Sequence, residues 1–432
     1  MDPPVKPEDD IKKGHEKFMT NDPYRRKTCR YCDAPLGEAF LDLGSQPLAN
    51  NLPRKEDAAK TEFHCPLAVV KCPKCHLVQL THSVPAHLMF DEYLYVSSTT
   101  QTFRTHFAEY AEDVRGRLFK KDRPLAVDIG SNDGLLVSRY EKAGMRGVGV
   151  EPAQNLAADA NKRGVITLNR YFDEKTVREI TAKYGKADAI SANNVFAHID
   201  DIQSVVRNVR ELLSDDGFFV IEFAYLVTML EKMFFDMIYH EHVCYIGVTA
   251  LGFLMERFGM EIFDITEVGT HGGSLRVFMQ KKGGPYRLEA IVDRFLCEEK
   301  EKGCLDGKIY QDFASRVVGF KEKLNGMIAA LKKQGRTISG YGAPAKASTI
   351  VNFCGLGPQE IDSIVDDNPL KQGRLIPGRK IPIVTSAYLN EHPTDYVLIF
   401  AWNFAKEIIS KIEPLRDRGV KFIIPLPEPE IL

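Results

Sequence analysis

The stretch Pro124-Leu125-Ala126-Val127-Asp128-Ile129-Gly130-Ser131-Asn132-Asp133-Gly134 decides the fold, because a short apolar run leads directly into a turn with two glycines. An apolar run of this length predicts a buried strand, and the glycine turn predicts the start of a helix. A second run, residues 147–150, ends at Glu151, about 20 residues after the first glycine. Together these features predict an open, doubly wound α/β sheet.

The glycine turn also favours a particular cofactor. Its glycines allow the backbone to approach a ligand, and Glu151 can bind two ribose hydroxyls. The spacing Gly-x-x-x-Gly differs from the Gly-x-Gly-x-x-Gly of dinucleotide sites, and S-adenosylmethionine, which has no pyrophosphate, fits this turn better. The alternative is the same fold without a cofactor. The candidate cofactor-binding residues here are Asp128, Gly130, Asn132, Asp133 and Glu151.

Polar residues follow a further predicted strand, residues 187–192. Ligands of open α/β sheets bind at the carboxyl ends of the strands. Asn193 and Asn194 are therefore candidates for binding the amino-acid part of the cofactor, and His198 for lining the pocket. Alternatively, His198 is a histidine at a helix start that is satisfied locally. Residues 260–265 and 274–279, joined by a glycine-rich turn, predict an antiparallel pair at the sheet edge.

The central cluster, Tyr239-His240-Glu241-His242, places a phenol, two imidazoles and a carboxylate in consecutive positions. Strongly apolar segments flank it, and such a cluster is costly to bury without partners. A surface loop with two unremarkable histidines is the simpler interpretation. The position of the cluster after a cofactor-type fold favours catalysis, so all four residues are candidate catalytic residues.

Two cysteine pairs, Cys29/Cys32 and Cys72/Cys75, have the spacing of zinc knuckles. Four thiolates complete a tetrahedral structural site and leave no position for chemistry. The alternative is two unrelated pairs of turn cysteines in a reducing cell. His64, Cys65 and His76 lie nearby in sequence and compete as possible ligands. We predict a zinc-binding domain over residues 28–90.

A second α/β pattern begins near residue 334. Residues 336–347 predict a strand, a turn of small residues and a helix, and the turn exposes backbone amides beside Lys346. Such a turn suits a diphosphate at a helix N-terminus. The run from Asp366 to Pro369 follows a strand predicted over residues 361–365 and can contact a nucleotide base or ribose. The alternative is a domain that serves only for packing.

Composition limits the remaining choices. A chain of 432 residues predicts two to three domains. A net charge of -2 argues against nucleic acid as a partner. No apolar run approaches the roughly 20 residues that span a bilayer, so no membrane association is expected. The N-terminus lacks the apolar core of a signal peptide, and residues 1–27 predict a disordered tail, so a cytoplasmic location is expected.

Taken together, these motifs resemble the sugar C-methyltransferases that add a branch methyl to keto-deoxysugar nucleotides in bacterial antibiotic and polysaccharide pathways. The resemblance runs from about Cys29 to the C-terminus. It implies an α/β chain with a small N-terminal zinc domain, a central class I (Rossmann-like) S-adenosylmethionine-dependent methyltransferase domain over residues 91–284, a helical connector over 285–333, and a second doubly wound domain over 334–432. One departure is Ala224, near which the family has a proline.

The resemblance also implies roles for residues. His242 would be the base, with Tyr239 and Glu241 beside it, and Tyr95 would lie over the cleft. The C-terminal domain would bind a thymidine- or guanosine-diphosphate sugar, S-adenosylmethionine would become S-adenosylhomocysteine, and zinc would be structural. A monomer or homodimer is expected. The substrate-binding candidates are Tyr95, Tyr341, Ala343, Lys346, Asp366, Asn368 and Lys371.

The implied reaction methylates C-3 of a 4-keto sugar. A carbon next to a carbonyl becomes a nucleophile only after it loses a proton, which requires a base with a pKa near neutrality, and histidine meets that need. Glu241 is expected to orient an imidazole. Two alternatives remain: an epimerase or isomerase that reprotonates the same enolate, and a zinc-containing protein that only binds sugar nucleotides.

Overall fold

The computed structural model describes residues 22–90, 101–118 and 122–432. Tyr95 and most of the predicted tail lie outside these ranges. The described strands are β1 (Leu41–Pro47), β2 (His64–Lys71), β3 (Val78–Leu80), β4 (Leu125–Ile129), β5 (Arg146–Val150), β6 (Thr167–Leu168), β7 (Ala187–Asn193), β8 (Leu213–Ala224), β9 (Cys244–Tyr245), β10 (Met260–Val268), β11 (Ser274–Lys281), β12 (Ile338–Tyr341), β13 (Ile364–Val365), β14 (Ile383–Val384), β15 (Tyr396–Ile399), β16 (Lys421–Ile424) and β17 (Glu430–Ile431).

Helices connect these strands. They are α1 (His87–Phe90), α2 (Gln101–Arg117), α3 (Leu135–Lys142), α4 (Gln154–Lys162), α5 (Glu174–Tyr184), α6 (Ile202–Leu212), α7 (Leu226–Glu231), α8 (Val248–Arg257), α9 (Ala290–Glu301), α10 (Lys308–Lys333), α11 (Ala345–Cys354), α12 (Tyr388–Glu391) and α13 (Ala405–Lys411). Within the described ranges, none of them combines the length and the apolar character that crossing a bilayer requires.

The seven-stranded methyltransferase sheet has the order β10-β11-β8-β7-β4-β5-β6. Strands β6, β5, β4, β7 and β8 are parallel, and β11 and β10 add antiparallel at the edge, as the sequence predicts. The chain order reverses at β4, which has β5 on one side and β7 on the other. The carboxyl ends of β4, β5 and β7 therefore meet at the switch point where open sheets bind ligands.

The zinc domain has a four-stranded sheet, β1-β2-β3-β9, that takes its last strand from the middle of the chain. Strand β9 follows the central cluster directly, and Gln79 pairs with Cys244. The Leu80 N–H also donates to the Val243 carbonyl at 3.0 Å. A two-residue strand carries too few residues to show a period, so the sequence did not predict this pairing. It joins the central cluster to the zinc domain.

The C-terminal sheet has six strands in the order β14-β13-β12-β15-β16-β17. All pairs are parallel except β16–β17. The predicted strand over residues 361–365 is shorter than expected, because Ile361 still belongs to a turn and its N–H donates to the Gly357 carbonyl at 2.9 Å. The predicted fold class is confirmed, since two doubly wound α/β units and a small zinc domain are present.

Candidate active site

One large cavity lies between the three sheets. Its volume is about 1570 Å³, which exceeds the roughly 300–1,000 Å³ of a typical small-molecule pocket. The methyltransferase sheet contributes Gly130 to its lining, the central cluster contributes Tyr239 and His242, the C-terminal domain Lys346, and the zinc domain Asn50. A cavity of this size has room for two ligands at once.

The glycine turn after β4 has little space around its backbone. Gly130 has a φ of +66°, and a Cβ atom there would lie 2.5 Å from Cγ2 of Val195. Glu151 stabilises the turn, because its carboxylate accepts the N–H groups of Asn132 and Ala153, both at 2.8 Å. Burial raises the pKa of Glu151. Gly130, Asn132 and Glu151 all line the cavity, so their atoms can contact a cofactor there.

Asp128 and Asp133 are buried behind the turn. Asp128 accepts a hydrogen bond from Ser191 Oγ at 2.6 Å, and burial raises its pKa to about 7. Arg163 donates to the backbone carbonyl of Asp133 and lies 3.8 Å from its carboxylate. Neither aspartate lies among the described residues that line the cavity. Their positions suit support of the turn rather than contact with a ligand.

The residues after β7 do line the cavity. Asn194 Nδ2 donates to Asn193 Oδ1 at 2.8 Å. The Nδ2 of Asn193 is buried and has no hydrogen-bond partner among the described residues, so it has donors for a ligand. The His198 ring lies 4.8 Å from the His242 ring, nearly perpendicular to it. Burial lowers the pKa of His198 to about 4, so this imidazole is neutral at pH 7.

Tyr239 and His242 form a hydrogen-bonded pair at the cavity. The Nδ1 of His242 lies 2.8 Å from the Met237 carbonyl, and Nε2 lies 2.8 Å from the Tyr239 hydroxyl. A carbonyl only accepts, so Nδ1 carries the proton and donates it. The Nε2 lone pair consequently accepts from the phenol. The geometry therefore presents an unprotonated base nitrogen with a proton donor beside it.

Glu241 and His240 occupy different surroundings. Glu241 lines the cavity and accepts a hydrogen bond from Asn50 Nδ2 at 2.7 Å, while burial raises its pKa to about 7. His240 Nε2 donates to the Cys65 carbonyl at 3.0 Å, and His240 is not among the described lining residues. Burial lowers its pKa to about 4. The expectation that Glu241 orients the imidazole is wrong for His242, because the Met237 carbonyl binds its Nδ1 and Glu241 instead binds Asn50. His240 joins the cluster to the zinc domain.

Asn50 is a site residue that the sequence analysis missed. It lies in the zinc domain just after β1, and nothing in the surrounding sequence marks it as a partner of Glu241. The same analysis missed Arg374, Asn403 and Phe404, which line the cavity from the C-terminal domain. Phe404 is apolar and yet 46% exposed, which marks it as a candidate ligand contact. This exposure can be seen only in the structure, so the sequence could not have identified the residue.

The turn after β12 is stabilised in the same way as the first. Asp366 accepts the N–H of Ala343 at 2.7 Å and that of Asn368 at 2.8 Å. Lys371 Nζ donates to the Ala343 carbonyl at 2.8 Å. Tyr341 donates to Asp367 at 3.1 Å.

The predicted substrate-binding residues divide into two groups. Lys346, Asn368 and Lys371 line the cavity. Tyr341, Ala343 and Asp366 belong to the turn or support it, and they are not among the described lining residues. The second group therefore fixes the shape of the turn that presents the first.

Lys346 has an unusual environment for a cation. Its Nζ is buried and has no hydrogen-bond partner among the described residues. It lies 4.8 Å from the centre of the Trp402 ring, a distance at which the ring attracts the charge. The ammonium group therefore keeps its donors for a ligand in the cavity.

The four cysteines form a compact buried group. Their sulfur atoms lie within 4.8 Å of one another, with Cys29–Cys75 and Cys32–Cys72 both at 3.5 Å. Zinc bound by four thiolates at about 2.3 Å requires this spacing. The backbone N–H of Tyr31 also lies 3.4 Å from Cys29 Sγ. The predicted set of four is confirmed, and His64, Cys65 and His76 lie outside the metal-ligand group found in the described chain.

Comparisons with known proteins identify the family of the chain. Three family models match consecutive parts of the chain: a zinc binding domain over residues 29–90, a methyltransferase domain over residues 103–265, and a C-methyltransferase C-terminal domain over residues 269–427. The class is therefore an S-adenosylmethionine-dependent methyltransferase with a zinc-binding domain. The C-methyltransferase NovU of Streptomyces niveus is 37% identical over 404 residues, which cover 94% of this chain and 96% of NovU. The chain belongs to the zinc-containing sugar C-methyltransferase family.

Solved structures resemble parts of the chain. Magnesium protoporphyrin IX methyltransferase from Synechocystis PCC 6803 with bound SAM is 14% identical, covers 41% of this chain and 78% of its own, and has a TM-score of 0.30. The PH0226 protein from Pyrococcus horikoshii OT3 is 16% identical, covers 46% and 98%, and has a TM-score of 0.35.

Proposed function

We propose that the enzyme transfers a methyl group to C-3 of a nucleotide-diphosphate-linked 4-keto-hexose through a base-generated enolate. One observation carries the proposal: the Tyr239–His242 pair opens onto the same cavity as the Gly130 turn and Lys346. A base that faced away from this cavity would have excluded it.

The pair has the chemistry that enolate formation requires. His242 Nε2 would take the proton from C-3 when the Tyr239 hydroxyl turns from Nε2 toward the substrate, because Nδ1 already carries a proton and Nε2 does not. The imidazolium that results keeps its hydrogen bond to the Met237 carbonyl. The Tyr239 hydroxyl is then available to donate to the oxygen at C-4, where negative charge develops.

The methyltransferase half would bind the cofactor. S-adenosylmethionine, when bound, supplies an electrophilic methyl carbon and leaves as S-adenosylhomocysteine. Glu151, Asn132 and Asn193, whose Nδ2 has no hydrogen-bond partner in the part of the chain that the structure describes, would be polar contacts for it. Because the enolate carbon is already a nucleophile, the main further task of the protein is alignment of the two ligands.

The C-terminal half would bind the nucleotide diphosphate. Lys346, Lys371 and Arg374 bring three cationic side chains to the cavity. Cations of this kind, beside the backbone amides of a turn at a helix start, suit phosphate oxygens. Phe404, which is exposed at the same cavity, offers a flat apolar surface to a nucleotide base.

The test compares wild type with His242→Gln on thymidine- and guanosine-diphosphate 4-keto-hexoses. We expect turnover to fall about 100-fold or more, because general-base catalysis is lost. The affinity for S-adenosylmethionine, measured by calorimetry, should stay unchanged, since Gly130 and Glu151 remain in place. Near-normal turnover would remove His242 from the role. Deuterium entry into substrate without the cofactor, together with inversion at C-3 and no methyl transfer, would instead indicate an isomerase.

A further inference from the structure

Two hydrogen bonds cross from the C-terminal domain to the segment that orients the proposed base. Trp402 Nε1 donates to Asp236 Oδ2 at 2.6 Å, and Thr349 Oγ1 donates to the Ile238 carbonyl at 3.0 Å. Asp236 and Ile238 are the two neighbours of Met237, whose carbonyl holds His242 Nδ1 at 2.8 Å. The C-terminal domain therefore binds the Asp236 side chain on one side of the carbonyl that selects the His242 tautomer and the Ile238 backbone on the other.

We propose that Trp402 and Thr349 are positioning residues that set the tautomer and the ring orientation of His242. The kinetic part of this proposal rests on the proposed function, whereas the structural part does not. The domain that would bind the nucleotide would then also determine whether the base nitrogen faces the sugar.

Burial makes both hydrogen bonds strong constraints. Asp236 is fully buried and Thr349 is 1% exposed. In such surroundings water does not replace a lost partner, so leaving a buried acceptor unpaired is unfavourable. Burial raises the pKa of Asp236, and the charge of Lys346 and the Trp402 N–H oppose that rise. The backbone is thereby discouraged from rotating away from these donors.

Apolar packing alone would not give the same control. The Phe234 ring lies 4.6 Å from the Trp402 ring, and the Phe235 ring lies 5.7 Å from the Phe353 ring. These contacts keep the segment against the C-terminal domain, but dispersion forces have no preferred direction for a carbonyl. Within the segment, the Ile238 N–H donates to the Phe235 carbonyl at 2.9 Å, and the hydrogen bonds from Thr349 and Trp402 add directional constraints on either side of Met237.

The chain offers well-matched variants for a test. Thr349→Val removes the hydroxyl and preserves the shape, while Thr349→Ser restores the donor. Trp402→Phe removes the N–H and retains an aromatic ring. Thr394→Val is the control, because Thr394 is also nearly buried in the C-terminal domain and donates to a backbone carbonyl, that of Tyr396, at 3.0 Å.

Two measurements separate positioning from general damage. Steady-state kinetics give kcat and the KM for the nucleotide sugar. Nitrogen NMR of the protein labelled with ¹⁵N-histidine reports the tautomer of each ring, and the spectrum of His242→Gln identifies the His242 signals. Zinc content and melting temperature show whether each variant is folded.

We expect Thr349→Val to lower kcat about tenfold with unchanged KM, and both Thr349→Val and Trp402→Phe to shift the ring signals of His242. Thr349→Ser should recover the wild-type kcat and the wild-type His242 ring signals, and Thr394→Val should behave as wild type. His242 signals identical to those of wild type in folded Thr349→Val would overturn the proposal, as would equal losses in Thr349→Val and Thr394→Val. If wild type methylates no keto sugar, the proposed function fails and the NMR comparison alone decides this inference.

Discussion

The chain contains two strand–turn–helix units that share one design, and the first belongs to the methyltransferase sheet. Its turn at Gly130 has a positive φ and is stabilised by Glu151 from the end of the neighbouring strand. That carboxylate accepts one N–H from within the turn, that of Asn132, and one from Ala153, two residues after itself. An acid that could bind ribose hydroxyls thus also stabilises the turn.

The second unit belongs to the C-terminal sheet and repeats this arrangement. Gly342 has a φ of +86°, and Asp366 follows the neighbouring strand. Asp366 accepts one N–H from the turn, that of Ala343, and one from Asn368, again two residues after itself. The sequences of the two turns differ, so the shared feature is the physical need to satisfy the exposed amides of a tight turn.

The two units differ in the charge that they present to the cavity. Gly130 and Asn132, the lining residues of the first turn, are uncharged, whereas Lys346, Lys371 and Arg374 surround the second. A sulfonium cofactor is cationic and a nucleotide diphosphate is anionic. The comparison teaches that turn geometry makes a ligand site possible, and that the neighbouring charges decide which ligand it suits.

Removal of zinc should give the largest effect and should affect both units. The zinc domain contacts each side of the cavity, since Asn50 donates to Glu241 and Glu62 accepts the Gly378 N–H at 3.0 Å. Structural zinc contributes about 10 kcal/mol or more to folding. Cys72→Ser should therefore lose the metal and weaken binding of both ligands. Metal analysis and calorimetry with each ligand check this, and full retention of either affinity would contradict it.

The second-largest expected effect is a pH dependence of the free energy of unfolding, which arises from Glu241 in the segment between the two units. Burial raises the pKa of Glu241 from near 4.5 to about 7, although the Asn50 amide opposes the rise. The folded protein therefore binds an extra proton between these pH values, and its free energy of unfolding falls as pH rises through that range. Relative to acidic pH, ionisation of Glu241 lowers the free energy of unfolding by about 3 kcal/mol at pH 8.

Glu241→Gln should remove this contribution. Relative to wild type, the variant should gain stability between pH 5 and pH 8, as measured by urea unfolding at each pH. His198 and His240, whose pKa values are lowered to about 4, act in the opposite direction, but they are present in both proteins and cancel in the difference. The exposed Glu428→Gln serves as control. A difference that stays constant with pH would show that Glu241 ionises normally.

Much of this architecture could be predicted from sequence, because its signals are local. The apolar run before Gly130 and the spacing of Cys29/Cys32 and Cys72/Cys75 each combine a residue type with a short spacing. Both lead to the observed fold and metal group.

The features that could not be predicted from the sequence depend on contacts between residues far apart in the chain or on backbone groups. Asn50 lies 191 positions from Glu241, and the orienting group of His242 is the backbone carbonyl of Met237, which any residue would supply. Sequence also could not distinguish the acid that lines the cavity, Glu151, from Asp128 behind the turn, because both lie near the carboxyl end of a strand.

Paired substitutions of the two turn acids test whether the units act independently. Glu151→Gln should weaken S-adenosylmethionine about 30-fold, since a charged acceptor of two N–H groups is lost, and should leave nucleotide affinity unchanged. Asp366→Asn should show the reverse pattern. Calorimetry with the cofactor and with thymidine diphosphate measures both. If either variant weakens both ligands equally, the turns are coupled and the two-unit description is wrong.

The smallest expected effect concerns charge alone, without any change in a turn. Lys346→Gln removes the buried cation above Trp402 and should weaken thymidine diphosphate about tenfold, with S-adenosylmethionine unaffected. Lys323→Gln is the control, because Lys323 is exposed and pairs with exposed Glu428 at 3.0 Å. Added salt should leave most of the difference in affinity between wild type and the variant, since a buried charge is screened less than an exposed one. An equal loss in both lysine variants would mean that overall charge, rather than the position of Lys346, attracts the diphosphate, and the contrast between the two units would then lose its local basis.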